Sequence, residues 1–216
     1  MKKTYLILEF FTVTFFLIIP PLLSTAQPVP LDRQKFFSFP TMIQALIAAA
    51  FFIQDKILHK ENVNYLRKVF WTTLTLGLLF FTFAGIKSAA FFAGQDTAVM
   101  PLFTEDGINA VNVFFLALNF FCAAFYEETL YRLFFTESMI QLLPQKKVFK
   151  IFAEIFSILI FALSHRTSGW FAVINALVCG IILRLCLVKT KSVLCPATAH
   201  FIYNAAIITF TLLYLY

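Results

Sequence analysis

Seven apolar stretches dominate the chain: Tyr5–Leu23, Phe36–Ile53, Val69–Ala93, Ile108–Tyr126, Val148–Leu163, Trp170–Val188 and Pro196–Tyr216. Each is near the ~20 residues that the ~30 Å hydrocarbon core of a bilayer requires. Hydrocarbon offers the backbone no hydrogen-bond partner outside the segment, so every span is expected to be helical. The expected fold class is all-α, a polytopic transmembrane helix bundle of about seven spans. Composition agrees, with 61% of the 216 residues hydrophobic and 13% charged, where soluble domains sit near 45–50% and about 25%. No repeat, linker or polar stretch divides the chain, and residues 1–216 read as a single integral membrane domain.

The first stretch has two readings. Lys2-Lys3, the apolar run and then Ser24-Thr25-Ala26 resemble a secretory signal with a small-residue cleavage site, which would leave six spans. The run is nonetheless long enough to cross a bilayer, contains Glu9 and ends in Pro20-Pro21, and the expectation is a retained first helix.

The net charge of +6 would point to nucleic acid in a soluble protein, but here it follows membrane orientation and no nucleic-acid partner is expected. With the N-terminus in the cytoplasm, the inside bases are Lys2, Lys3, Lys56, Lys60, Arg67, Lys68, Lys146, Lys147, Lys150, Arg184, Lys189 and Lys191. Outside stand Arg33, Lys35 and Arg166, while the loop from Gly94 to Gly107 carries Asp96, Glu105 and Asp106 without a base. That asymmetry is a positive-inside bias and predicts a multi-pass protein of the cell membrane. Cys122, Cys179, Cys186 and Cys195 lack metal-type spacing and read as small buried hydrophobes.

Three polar pairs interrupt the apolar segments. Glu127-Glu128-Thr129-Leu130-Tyr131-Arg132 follows a charge-free run from Val113 to Tyr126; Phe161…His165 and His200…Asn204 lie in later spans. A charge in hydrocarbon costs roughly 2.5 kcal/mol or more, so such residues are rare unless paired or functional. On a helix Glu128 and Arg132 are i,i+4 neighbours in the favourable order for an ion pair. Glu127 points about 100° away from Glu128, at ~3.6 residues per turn, and is expected to face something else. A carboxylate and an imidazole can activate water, and imidazole and carboxamide donors can hold an oxyanion. That is the equipment of a hydrolase. Singly, each pair has a blander explanation: an interfacial helix end, an interfacial histidine, or hydrogen-bonding glue between helices worth ~0.6 kcal/mol. Glu9, Lys87 and Glu154 are further intramembrane charges that match no motif and stay outside the expected site.

Together the pairs resemble the CAAX prenyl protease and bacteriocin-processing (CPBP, also called Abi) family of intramembrane proteases. Its motifs EExxxR, FxxxH and HxxxN stand here, in that order, as Glu127-Glu128…Arg132, Phe161…His165 and His200…Asn204. The resemblance covers roughly residues 112–206. It implies that Glu127 and His165 activate a water for attack on a scissile amide, and that His200 and Asn204 form the oxyanion hole. Glu128 and Arg132 would hold the site by their ion pair, and Phe161 would wall it. The family, once classed as metalloendopeptidases, is better viewed as glutamate-dependent, and no cofactor is expected. Zinc is the alternative, with Glu127, His165 and His200 as a plausible three-ligand count, although no HExxH is present.

The expected function is therefore an intramembrane endopeptidase acting on a peptide or lipidated-peptide substrate, prenylated or bacteriocin-type, with membrane lipid around it. The competitors are a non-catalytic membrane protein giving bacteriocin self-immunity and a small proton-coupled transporter. If the fourth helix runs on to Leu143 and turns at Pro144–Lys147, Glu127 lies 17 residues before Pro144 and His165 18 after Lys147. Those positions are level in a helical hairpin, about 26 Å from the turn at ~1.5 Å per residue. His200 fits this depth less easily, because Trp170–Val188 carries the chain back across the membrane. Either that helix is tilted or short, or Leu133–Leu143 lies along the interface.

Overall fold

Backbone hydrogen bonding closes within each apolar stretch, as hydrocarbon demands. The computed structural model describes residues 3–25, 39–58, 63–94 and 110–215, and among them all regular structure is helical. Helix α1 is Lys3–Leu23, with a π-helical turn at Thr14–Ile18. Then come α2 (Phe39–Leu58) and α3 (Tyr65–Phe92). Helix α4 starts as Ala110–Glu127 and is continued without a break by a π-helical stretch Glu128–Phe135 and by Thr136–Leu142. Helices α5 (Lys147–Leu163), α6 (Trp170–Thr190) and α7 (Leu194–Leu215) complete the order. Each expected span coincides with one of these helices. Among the described residues α1, α3 and α6 are long and apolar enough to cross a membrane on length and composition alone.

Asp96, Glu105 and Asp106, the outside bases Arg33 and Lys35, the inside bases Lys2 and Lys60, and Ala26 of the signal-like segment lie outside the described residues. So do the first residues of the second and fourth expected spans.

The distribution of side chains is that of a protein turned inside out. Phe11, Phe15, Phe16, Leu46, Phe81, Phe91, Phe92 and Ile155 are exposed on the outer faces. The interior meanwhile encloses Glu128, Arg132, Arg184 and His200, with Thr75, Thr129, Thr136, Ser138 and Ser157. Water as solvent would reverse this arrangement, whereas lipid favours it.

Helix ends follow local chemistry. The Asn64 side chain accepts from the Leu66 N–H at 2.9 Å and caps α3. Leu143 is extended (φ −77°, ψ 160°) because Pro144 follows it and disfavours helical geometry before itself. The amide of Gln145 then donates to Ile140 C=O at 2.8 Å, covering one of the carbonyls that α4 leaves unpaired. Gly169 (φ 94°, ψ 167°) makes the turn into α6 in a conformation that side chains exclude.

Packing brings α3 against α6 and α7, α4 against α2 and α7, and α5 against α6. Helix α1 lies beside the last turns of α4, where Phe10 stacks on Phe135 with centroids 5.4 Å apart. The side chain of Arg166 donates to Pro21 C=O (2.9 Å) and to Ser24 C=O, tying the end of α1 to the turn after α5. Gly180 on α6 allows close approach. A Cβ there would meet Ile158 Cγ2 at 3.3 Å, Phe161 Cδ1 at 3.4 Å and Arg132 Nη2 at 3.8 Å.

The turn from α6 to α7 brings His200 back against Glu128. Thr190, Ser192 and Val193 are 0, 7 and 1% exposed, while Lys189, Lys191 and Leu194 of the same turn are exposed. Lys191 adopts the left-handed conformation (φ 53°) that makes this reversal tight. From that turn, α7 reaches Glu128 within two turns, where His200 meets it.

One expectation is corrected by this geometry. Arg184, counted among the inside loop bases, lies within α6 and is buried.

Candidate active site

The charged hexad does not continue as ordinary α-helix. From Glu128 to Phe135 the backbone is π-helical, and the Thr136 N–H bonds back five residues to Tyr131 C=O. The Thr136 hydroxyl donates to the same carbonyl at 2.8 Å. Such widened turns need supporting bonds and concentrate at functional sites. This turn packs on α2, on α5 and on the earlier part of α4.

The expected ion pair is present: Arg132 Nη1 lies 3.0 Å from Glu128 Oε1. The same oxygen also takes a hydrogen bond from His200 Nδ1 at 2.9 Å, across from α7. Because a carboxylate oxygen facing a guanidinium can only accept, His200 carries its proton on Nδ1 and directs Nε2 elsewhere. Nε2 faces Glu127 Oε2 at 3.8 Å. The two glutamates, expected to diverge, therefore converge on the two nitrogens of one imidazole.

Their environments nonetheless differ. The Glu128 side chain is 0% exposed and the Glu127 side chain 29%. A buried, doubly contacted carboxylate is a fixture; a partly exposed one can meet solvent and substrate.

Phe161 connects the second motif to the first. The Arg132 guanidinium lies 4.0 Å from the Phe161 ring centroid, a cation–π contact. Tyr131 meets that ring edge-on at 5.3 Å, and His165 packs on it at 4.9 Å. His165 is half-buried at the end of α5, its Nδ1 3.0 Å from Phe161 C=O and 3.3 Å from Ser164 Oγ. Its hydrogen bonds thus lie within its own helix end, and Phe161 links it to the rest. Asn204 is half-buried one turn beyond His200 on α7. Glu127, Glu128, Arg132, Phe161, His165 and His200 form one contiguous chain of contacts, with Asn204 beside His200 in register.

Among the described residues no three of His, Cys, Asp and Glu group as metal ligands. His200 commits Nδ1 to Glu128, and His165 commits Nδ1 to Phe161 C=O.

Sequence reasoning missed a second charged cluster one level away. The Arg184 fork donates to Glu154 through Nε and Nη2, both at 2.6 Å, and Nη2 also reaches Glu137 at 2.8 Å. Its Nη1 donates to the backbone C=O of Arg132 at 2.8 Å. A lone base two turns from a helix end looks like a loop residue, and its partners lie 30 and 47 positions away. The available signal was that α6 and α5 each carry one unexplained charge of opposite sign.

Residues 109–206 match the family described as type II CAAX prenyl endopeptidase Rce1-like. The match takes in all the motif residues and leaves 1–108 outside it. The chain matches no curated protein and no solved structure.

Proposed function

We propose, from the match of residues 109–206 to the family described as type II CAAX prenyl endopeptidase Rce1-like, that the chain is an intramembrane endopeptidase working by glutamate-activated water. The observation that carries the mechanism is the split between Glu127 and Glu128, one partly exposed and one sealed in an ion pair.

Glu127 is the general base. Its Oε2 and His200 Nε2 are 3.8 Å apart, too far for a direct hydrogen bond and within reach of one shared water. The water loses a proton to Glu127 as its oxygen attacks the scissile carbonyl, and Glu127 then returns the proton to the leaving amine. His165, at the end of α5, is the second group assigned to the water. The developing oxyanion takes donors from His200 and Asn204. For that role His200 holds protons on both nitrogens, Nδ1–H fixed on Glu128 and Nε2–H directed at the oxyanion. Donors aligned in advance in a low-dielectric site carry much of such a reaction's acceleration. Glu128, Arg132 and Phe161 keep the imidazole and the turn in place. No step is assigned to a metal.

The substrate is a peptide bond close to the membrane surface in a lipidated or membrane-associated peptide. The protein in detergent or nanodiscs is incubated with prenylated and unprenylated peptides, with and without a chelator. Cleavage is expected to survive chelation. Glu127→Ala and His165→Ala are each expected to lower turnover by roughly 100-fold or more, the usual range for general acid–base groups, with melting unchanged. Undiminished turnover in both variants overturns the mechanism. Proton-coupled flux without cleavage replaces it with a transporter, and loss of cleavage on chelation replaces glutamate chemistry with metal chemistry.

A further inference from the structure

A buried arginine inside a membrane span demands a function, since an intramembrane charge costs on the order of 3 kcal/mol even on the mildest scale. Arg184 is 6% exposed, in the interior of α6. Its four hydrogen bonds reach three places: Glu154 on α5, Glu137 on the last part of α4, and the backbone carbonyl of Arg132. The first two balance charge. The third does something an ion pair does not require, because it fixes a backbone atom in the middle of the π-helical stretch.

That atom is next to the chemistry. The carbonyl bonded by Arg184 Nη1 belongs to Arg132, whose own guanidinium lies 3.0 Å from Glu128 Oε1. Glu128 Oε1 in turn accepts from His200 Nδ1 at 2.9 Å. A continuous path runs from Arg184 through one peptide group and one ion pair to the imidazole that faces Glu127. The neighbouring carbonyl, Tyr131 C=O, is held in the same manner by the Thr136 hydroxyl. Two consecutive carbonyls of the wide turn are thus tied by side chains. Glu154 shares α5 with Phe161, two turns further on, so the same cluster fixes the helix that supports the Arg132 guanidinium.

We propose that Arg184, set by Glu154 and Glu137, is a positioning residue that holds the π-helical turn open and so aligns Glu127, Glu128 and His200 for the reaction. This rests on the peptidase reading for its catalytic consequence, while its structural content stands apart from that reading. In this role Arg184 acts through the Arg132 backbone.

The test must separate positioning from simple charge balance. In the double variant Arg184→Met, Glu154→Gln, donor and main acceptor are removed together, so no buried charge is stranded and folding stability is expected to be nearly kept. The carbonyl of Arg132 still loses its donor. The expected result is an unchanged melting transition, a kcat lowered on the order of 100-fold, as misplacement by about 1 Å produces, and an unchanged KM. Nitrogen-15 NMR of the histidine side chains, with His200 assigned by His200→Gln, gives a readout independent of turnover: the Nδ1–H signal bonded to Glu128 is expected to move. If the double variant does not fold, Arg184→Lys keeps the charge without the fork and is read in the same two ways. An unmoved His200 signal, or wild-type kcat in a folded variant, overturns the proposal. A moved signal in a protein whose wild type cleaves no peptide supports the positioning and sinks the peptidase reading.

Discussion

The two buried arginines, Arg132 and Arg184, are nearly equally hidden, at 3 and 6% exposure, and yet they are used in opposite ways. Arg184 spends its donors on two carboxylates and a carbonyl. Arg132 has one ionic contact, to Glu128 at 3.0 Å, whose angles are not those of a hydrogen bond; its Nε and Nη2 have no hydrogen-bond partner among the described residues. Its compensation is the face of Phe161 at 4.0 Å, a contact worth about 2 kcal/mol or more when desolvated. A guanidinium with four of its five N–H donors bonded behaves as a rivet. One held by an ion pair and a ring retains donors and some freedom, which suits a group beside reacting atoms. On the proposed mechanism, Arg184 serves structure and Arg132 stands beside the chemistry.

Removing Arg132 is expected to have the largest effect on stability. Arg132→Met leaves Glu128, with no exposure at all, without its cation. Stranding one member of a buried pair costs about 3–5 kcal/mol, read as a lowered unfolding midpoint in detergent, and turnover is expected to disappear with it. A loss below about 1 kcal/mol would mean that His200 alone neutralises Glu128, and the rivet would then be the more important of the two arginines.

The carboxylates of Arg184 give a smaller and graded effect. Glu154 makes two bonds of 2.6 Å and its side chain is 32% exposed; Glu137 makes one of 2.8 Å at 42%. Glu154→Gln is expected to cost about 1–2 kcal/mol, as a charged hydrogen bond does, and Glu137→Gln under about 0.5 kcal/mol, as solvent-screened pairs do. Equal losses in unfolding experiments would show that the fork is not anchored on α5.

Much of this was legible in the sequence, and the boundary is physical. The apolar stretches announced the helices, because in hydrocarbon length and hydropathy leave the backbone one choice. The i,i+4 pairing of Glu128 with Arg132 and the end of α4 before Pro144 were also readable, since both are set by residues within one turn. The π-helical turn was not. Its carbonyls take donors from Thr136 and from Arg184, 52 positions away, and His200 meets both glutamates from another helix. Nor could local spacing pair Arg184 with Glu154, or His200 with Glu128. Those are tertiary facts, fixed by helices that meet only after folding.

The smallest expected effect tests how tightly α6 presses on the site. Glycine within a helix costs roughly 1 kcal/mol relative to alanine, so a Gly→Ala change with room to spare should stabilise. Gly77 on α3 has that room, since a methyl placed there would meet nothing within 4 Å. At Gly180 the methyl would lie 3.3 Å from Ile158 and 3.4 Å from Phe161, and 3.8 Å from the Arg132 guanidinium. Those neighbours must yield by a few tenths of an ångström, and Phe161 and Arg132 are the two that hold the ring contact. Gly77→Ala is therefore expected to gain up to about 1 kcal/mol with unchanged turnover. Gly180→Ala is expected to be neutral in stability and to lower turnover several-fold. Unfolding and cleavage measured on the pair decide it. Equal stabilisation with unchanged turnover at both glycines would show that Phe161 and Arg132 tolerate displacement, and that the alignment of the site is set at the Arg184 level alone.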